Sequence, residues 1–77
     1  MSKIPATVLN ELYVPAETAK RKMLPYCDTA EIKDGYLVAI RRNMTYKITI
    51  RKFDGWDGEF VSRSLLQDTL YDLMFQS

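Results

Sequence analysis

A chain of 77 residues with net charge +1 and 47% hydrophobic content is too apolar for disorder and too nearly neutral for its overall charge to draw it to nucleic acid or membrane. No histidine and a single cysteine, Cys27, exclude Ser–His and Cys–His catalytic pairs, the usual zinc ligand sets and an internal disulfide. The length makes one small domain, residues 1–77, burying only roughly 60% of its unfolded surface, so help from a partner is an expectation from the outset. Five Tyr, three Phe and one Trp supply large burial per residue for a thin core.

Residues 5–13 read as a short helix, with Val8, Leu9 and Leu12 on one side and Pro5 in its first turn, although Tyr13-Val14 before Pro15 suits an extended segment equally well. Met1–Val14 has no leader pattern and no stretch approaches the ~20 apolar residues that span a bilayer, which predicts a cytoplasmic protein without membrane contact. Pro15 opens a second helix, with Glu17 in the first turn and Lys20, Arg21 and Lys22 near the end, both suited to the helix dipole. Pro25 stops it. Cys27 reads as a small buried hydrophobe more than as a reactive thiol, although the nearby Lys20–Lys22 would lower its pKa.

Asp34-Gly35 is a turn signal before Tyr36–Ile40, a run apolar on both parities and therefore a central strand covered on both sides, at least in part. Arg42-Asn43-Met44 offers a tight connection, with Asn43 suited to the left-handed conformation. From 45 to 52 a basic strand completes the hairpin. Tyr46, Ile48 and Ile50 fall on one parity, and Lys47, Thr49 and Arg51 on the other. The stretch Arg41–Lys52 holds five of the eleven basic residues and no acid, whereas 54–77 holds five acids and only Arg63.

Phe53–Gly58 is a second turn region with two Asp-Gly pairs. Its acids, with Glu59, lack the ligand order of a calcium loop and read as turn formers. Glu59–Ser62 makes a third short strand. Ser64-Leu-Leu-Gln67 fits a capping box, and Leu66, Leu70, Leu73 and Met74 then recur at helical spacing. Tyr71 and Phe75 form an i, i+4 pair rotated roughly 110–150° from that stripe, so either the N-terminal helices pack over them or they meet another chain.

The fold class expected is α+β: short N-terminal helices, a three-stranded antiparallel meander at about 36–62, and an amphipathic C-terminal helix packed on the sheet. No general base, metal cluster or phosphate loop of the usual kinds is visible, so the reading is not an enzyme and takes no cofactor. The function expected is a small protein-binding module that modulates a partner or assembles with itself as a homodimer. Its contact residues would be Trp56, Phe53, Tyr71, Phe75 and the cations Arg41, Arg42, Lys47, Arg51 and Lys52. Tryptophan is enriched at interface centres, while a loop tryptophan also serves as a core lid; the sequence leaves both open for Trp56. Chains of this size are often phage or mobile-element accessory proteins acting on a host factor, which sets the biological expectation. The alternative is nucleic-acid binding through 41–52, against which stands the ordinary use of basic residues to protect exposed strands.

Overall fold

The computed structural model describes residues 5–75 and shows an α+β chain with three α-helices and two three-stranded antiparallel sheets. Helix α1 covers Ala6–Leu12, strand β1 Tyr13–Pro15 and helix α2 Ala16–Met23, with a 3-10 turn at Leu24–Tyr26. Strands β2 (Thr29–Lys33), β3 (Tyr36–Arg41) and β4 (Met44–Thr49) follow, then β5 (Arg51–Phe53), β6 (Trp56–Ser62) and helix α3 (Arg63–Phe75).

Prolines punctuate the first third. Pro5 and Pro15 stand immediately before α1 and α2 in extended conformation. Pro25 cannot continue α2 because its ring collides with the preceding turn, and the chain passes into the 3-10 turn instead. Of the apolar residues in α1, only Leu9 is buried; Val8 and Leu12 are exposed. Glu17 in the first turn of α2 and Lys20, Arg21 and Lys22 in the last are placed as the helix dipole favours.

The first sheet has the order β2-β3-β4. Its β2–β3 turn is Asp34-Gly35, with φ of 53° and 80°, left-handed at both central positions as a tight hairpin of type I′ requires. Register pairs Ala30 with Ala39, Ile32 with Leu37, Leu37 with Ile48 and Ala39 with Tyr46. Side-chain alternation therefore gathers these residues on one face, which packs into the core. The apolar parity of the basic stretch is core, as its pattern requires.

Several expectations change. The three-stranded meander over 36–62 is instead two sheets, because β2 precedes it and β1 supplies the far edge of the second sheet, whose order is β1-β6-β5. The basic strand 45–52 is not one strand. It breaks at Ile50, whose N–H donates to the Gly35 carbonyl at 2.9 Å, while Ile50 itself packs against the core. Beyond it, β5 pairs with β6 in the other sheet. Only Asp54-Gly55 makes a turn; Asp57-Gly58 lies within β6, which starts at Trp56.

In the β3–β4 turn the left-handed residue is Arg42, at φ 55°, rather than Asn43. Asp28 holds this turn from outside: its carboxylate accepts the Arg42 N–H at 2.8 Å, and its own N–H donates to the Ile40 carbonyl at 2.7 Å. Strand β3 is central but enclosed on one face only, since Tyr36 and Ile40 on the other are exposed and Val38 is half-buried. The C-terminal helix is capped two residues earlier than Ser64-Leu-Leu-Gln67 suggests. Ser62 Oγ accepts the Leu65 N–H at 3.4 Å, so Ser62 is the cap and Ser64 lies inside the helix. Leu66 and Leu73 are buried and Leu70 half-buried, as the stripe predicts, but Met74 is exposed.

One hydrophobic cluster runs through both sheets, from Val14 and Val61 through Ala19 and Met23 of α2 to Leu37 and Ile48, with Leu66 and Leu73 of α3. The molecule is flat and long, 45 × 23 × 15 Å, with a Cα radius of gyration of 13.0 Å; a compact chain of this length would give about 11–12 Å. A flattened body of few layers leaves large apolar side chains without cover.

Candidate functional site

The apolar side chains left without cover concentrate where the 3-10 turn, the β3–β4 turn and the last turns of α3 meet. Leu24, Tyr26, Met44, Tyr71, Met74 and Phe75 are all exposed. Tyr71 and Phe75 are the extreme cases, at 64% and 69% exposure. Their spacing of four residues stacks the rings with centroids 4.6 Å apart and planes at 39°. No described element packs over them, so the N-terminal helices are not the cover that the sequence allows for.

Next to this pair, Pro25, Tyr26, Cys27, Asp28, Arg41, Arg42, Leu73 and Met74 line an open cleft of about 380 Å³. Arg41 enters from the end of β3, half-buried, and its guanidinium donates to the Leu73 carbonyl. That carbonyl belongs to the last turn of α3, where backbone oxygens lack helical partners and partial negative charge collects. Arg41 thus closes a helix end. Arg42 is exposed at the same end. Arg63 plays the equivalent part for α1: its Nη2 donates to Asn10 at 2.6 Å and Tyr13 at 3.5 Å, and its Nε to Glu11 at 3.1 Å.

Cys27 sits in the cleft wall, half-buried against the core, and its thiol donates to the Met23 carbonyl at 3.1 Å. Burial pushes its pKa up, the neighbouring Asp28 carboxylate adds to the rise, and Arg41 opposes it. The direction is the reverse of the lowering that Lys20–Lys22 would give. A protonated thiol held to a carbonyl is a poor nucleophile.

The remaining cations are scattered. Lys47 lies on the outer face of the first sheet, its Nζ 5.4 Å from the Tyr36 ring centroid. Arg51 and Lys52 belong to β5 in the second sheet, with the Arg51 guanidinium 5.7 Å from the Phe53 ring centroid. Phe53 is half-buried in an aromatic cluster, edge-on to Tyr13 at 4.7 Å and tilted against Phe60 at 5.8 Å. Trp56 is half-buried opposite Phe53 in the β5–β6 pair. The expected contact residues therefore fall into three groups. Phe53, Trp56, Arg51 and Lys52 occupy one hairpin, Lys47 the outer sheet face, and Arg41, Arg42, Tyr71 and Phe75 the end of α3.

Sequence reasoning left Tyr26, Met44 and Met74 out of the interaction surface. For Met74 the signal was present: at 100° per residue it lies about 70° from the centre of Leu66, Leu70 and Leu73, at the margin of the stripe. Tyr26 and Met44 depend on how the 3-10 turn and the hairpin come to lie beside α3, which no local pattern encodes. Among the described residues, no three His, Cys, Asp or Glu side chains are placed to hold a metal ion. No described helix is long and apolar enough to cross a membrane. No protein-family model, curated protein or solved structure matches this chain.

Proposed function

We propose that this chain is a non-enzymatic protein-binding module that works through the outward face of α3 and the cleft beside it. The observation that supports the reading is the exposed, stacked Tyr71–Phe75 pair, next to Met74, which lines the cleft with Tyr26. Aromatic and methionine side chains supply large contact area and adapt to a partner's shape, and they are enriched at interface centres. Leaving them in water in a chain with so little core gains nothing for folding. Phe53 and Trp56 contribute less in this reading, because both are half-buried.

Nucleic-acid binding through 41–52 is ranked second. A phosphate track needs its cations on one surface, and here they divide among two sheets and a helix end. An accessory role in a phage or mobile element, acting on a host factor, rests on chain size alone. The test is affinity capture from a lysate of the source cells with the wild-type chain and a Tyr71→Asp/Phe75→Asp variant. A defined protein retained by the wild type and lost with the variant is expected. Equal retention by both removes the α3 surface from the reading. A mobility shift of oligonucleotides at low salt, lost steeply as salt rises, would favour nucleic acid instead.

A further inference from the structure

Charge is ordered across the apolar strip of α3. Taking the midline between Tyr71 and Phe75, Met74 lies about 80° to one side, and Asp68 and Asp72 about 40° and 80° to the other. Met74 borders the cleft that also holds Arg41 and Arg42. The order around the helix is therefore basic flank, apolar strip, acidic flank. Asp28 shares the basic flank, but its carboxylate is bound by the Arg42 N–H, and two guanidiniums outweigh it. Asp68 and Asp72 are exposed, and between residues 64 and 75 no base stands against them.

Resting on the reading of α3 as an interaction surface, we propose that its occupant is a second copy of this chain, in a closed two-fold dimer whose axis runs along α3. The symmetry decides between arrangements. A two-fold axis across the helices sets basic flank on basic flank and acidic on acidic. An axis along them exchanges left and right, so that the basic flank of each copy meets the acidic flank of the other, and residues at one level along the helix stay level. Asp72 lies within two residues of Met74, about 3 Å along the axis, and so stands near the level at which Met74 borders the cleft that Arg42 also lines. Each interface then buries Tyr71, Phe75 and Met74 against their counterparts and closes two Arg42–Asp72 pairs at the rim. The contact is isologous and self-limiting, which suits a strip that would otherwise drive open-ended association.

The test is sedimentation of the full chain over a concentration series, with Asp72→Arg and Arg42→Asp as single variants and as an equimolar mixture. Both positions are exposed, and aspartate tolerates the left-handed backbone at 42. The wild type is expected to dimerise. Each single variant sets like charges together at both rim contacts and should dimerise about tenfold more weakly, while their mixture, in which both contacts are again opposite in sign, should recover. Asp72→Asn, which removes charge without reversing it, keeps the comparison readable if the arginine variant folds poorly. A wild type monomeric at every concentration overturns the proposal, as do single variants that dimerise like the wild type or a mixture that fails to associate. A monomer whose capture of another protein still depends on Tyr71 and Phe75 overturns the dimer alone. A monomer that captures nothing overturns the interaction reading with it.

Discussion

Two aromatic groups in this chain are built from the same residue types, tyrosine and phenylalanine, and have opposite fates. Tyr13, Phe53 and Phe60 come from three strands of one sheet, with Phe53 edge-on to Tyr13 at 4.7 Å and tilted against Phe60 at 5.8 Å. Tyr71 and Phe75 come from one helix, stack side by side at 4.6 Å, and stay mostly in water. The first group is closed by strand pairing: β6 lies between β1 and β5 and brings the rings together from residues distant in sequence. The second is assembled locally, and the helix that assembles it turns its other face to the core. Aromatic content by itself does not say whether a ring holds the fold together or waits for a partner. The element's other obligations do.

This contrast can be pressed at several points. The largest effect is expected at the core that both groups surround. Leu73 is fully buried beneath α3, and Leu73→Ala should cost about 2–5 kcal/mol, which for so small a domain means loss of cooperative folding by circular dichroism and thermal melts. Next comes the direct comparison of rings. Phe53→Ala should cost about 1–3 kcal/mol of unfolding free energy, whereas Phe75→Ala should change it by less than about 0.5 kcal/mol. Equal losses at the two positions would mean that the α3 pair is structural after all.

The helix ends give a smaller step. Arg63→Ala removes the donor to three carbonyls at the end of α1 and should cost about 1 kcal/mol, felt as faster amide exchange in α1 and β1. In the opposite direction, the Tyr46 hydroxyl is buried with no hydrogen-bond partner among the described residues. Tyr46→Phe relieves that desolvation and should leave stability unchanged or raise it by up to about 1 kcal/mol in a urea titration.

Acid–base behaviour should show the smallest change. The pKa of Cys27 is raised in the fold, so the native state holds the thiol proton more tightly than the unfolded chain does. Its contribution to stability is full below the unfolded thiol pKa and is lost as pH rises through the folded value. The practical readout is alkylation. At mildly alkaline pH Cys27 should react more slowly in the native protein than in urea, and a faster native reaction would contradict the environment described for it.

Much of this architecture is written in local patterns. The prolines at 5, 15 and 25 bound the first helices because a missing N–H and a rigid ring act on immediate neighbours. Asp34-Gly35 makes its turn for the same local reason. The parity of Tyr46, Ile48 and Ile50 and the stripe of Leu66, Leu70 and Leu73 point inward as their periods require; β2 was missed, although the alternation of Ala30 and Ile32 with Glu31 and Lys33 carried its signal. What stayed hidden was every choice made between distant segments. Nothing local shows that the chain leaves one sheet at Ile50 and joins another, which divides a continuous run of cations between two surfaces. Nor does it show that Asp28 holds the β3–β4 turn, shifting the left-handed residue to Arg42, or that Arg41 is drawn to the carbonyl end of α3.

The candidate surface divides along the same line. The i, i+4 spacing of Tyr71 and Phe75, and their displacement from the leucine stripe, follow from helix geometry and could be read in advance. The flank of Asp68 and Asp72 follows from the same geometry, whereas it is a property of tertiary packing that no described element covers the pair and that Met74 lines a cleft with Tyr26 and two arginines. Helical and strand periods determine which face a residue occupies, because they depend on backbone geometry alone. Which faces remain in water depends on how few layers 77 residues can build, and on which of those layers the core can reach.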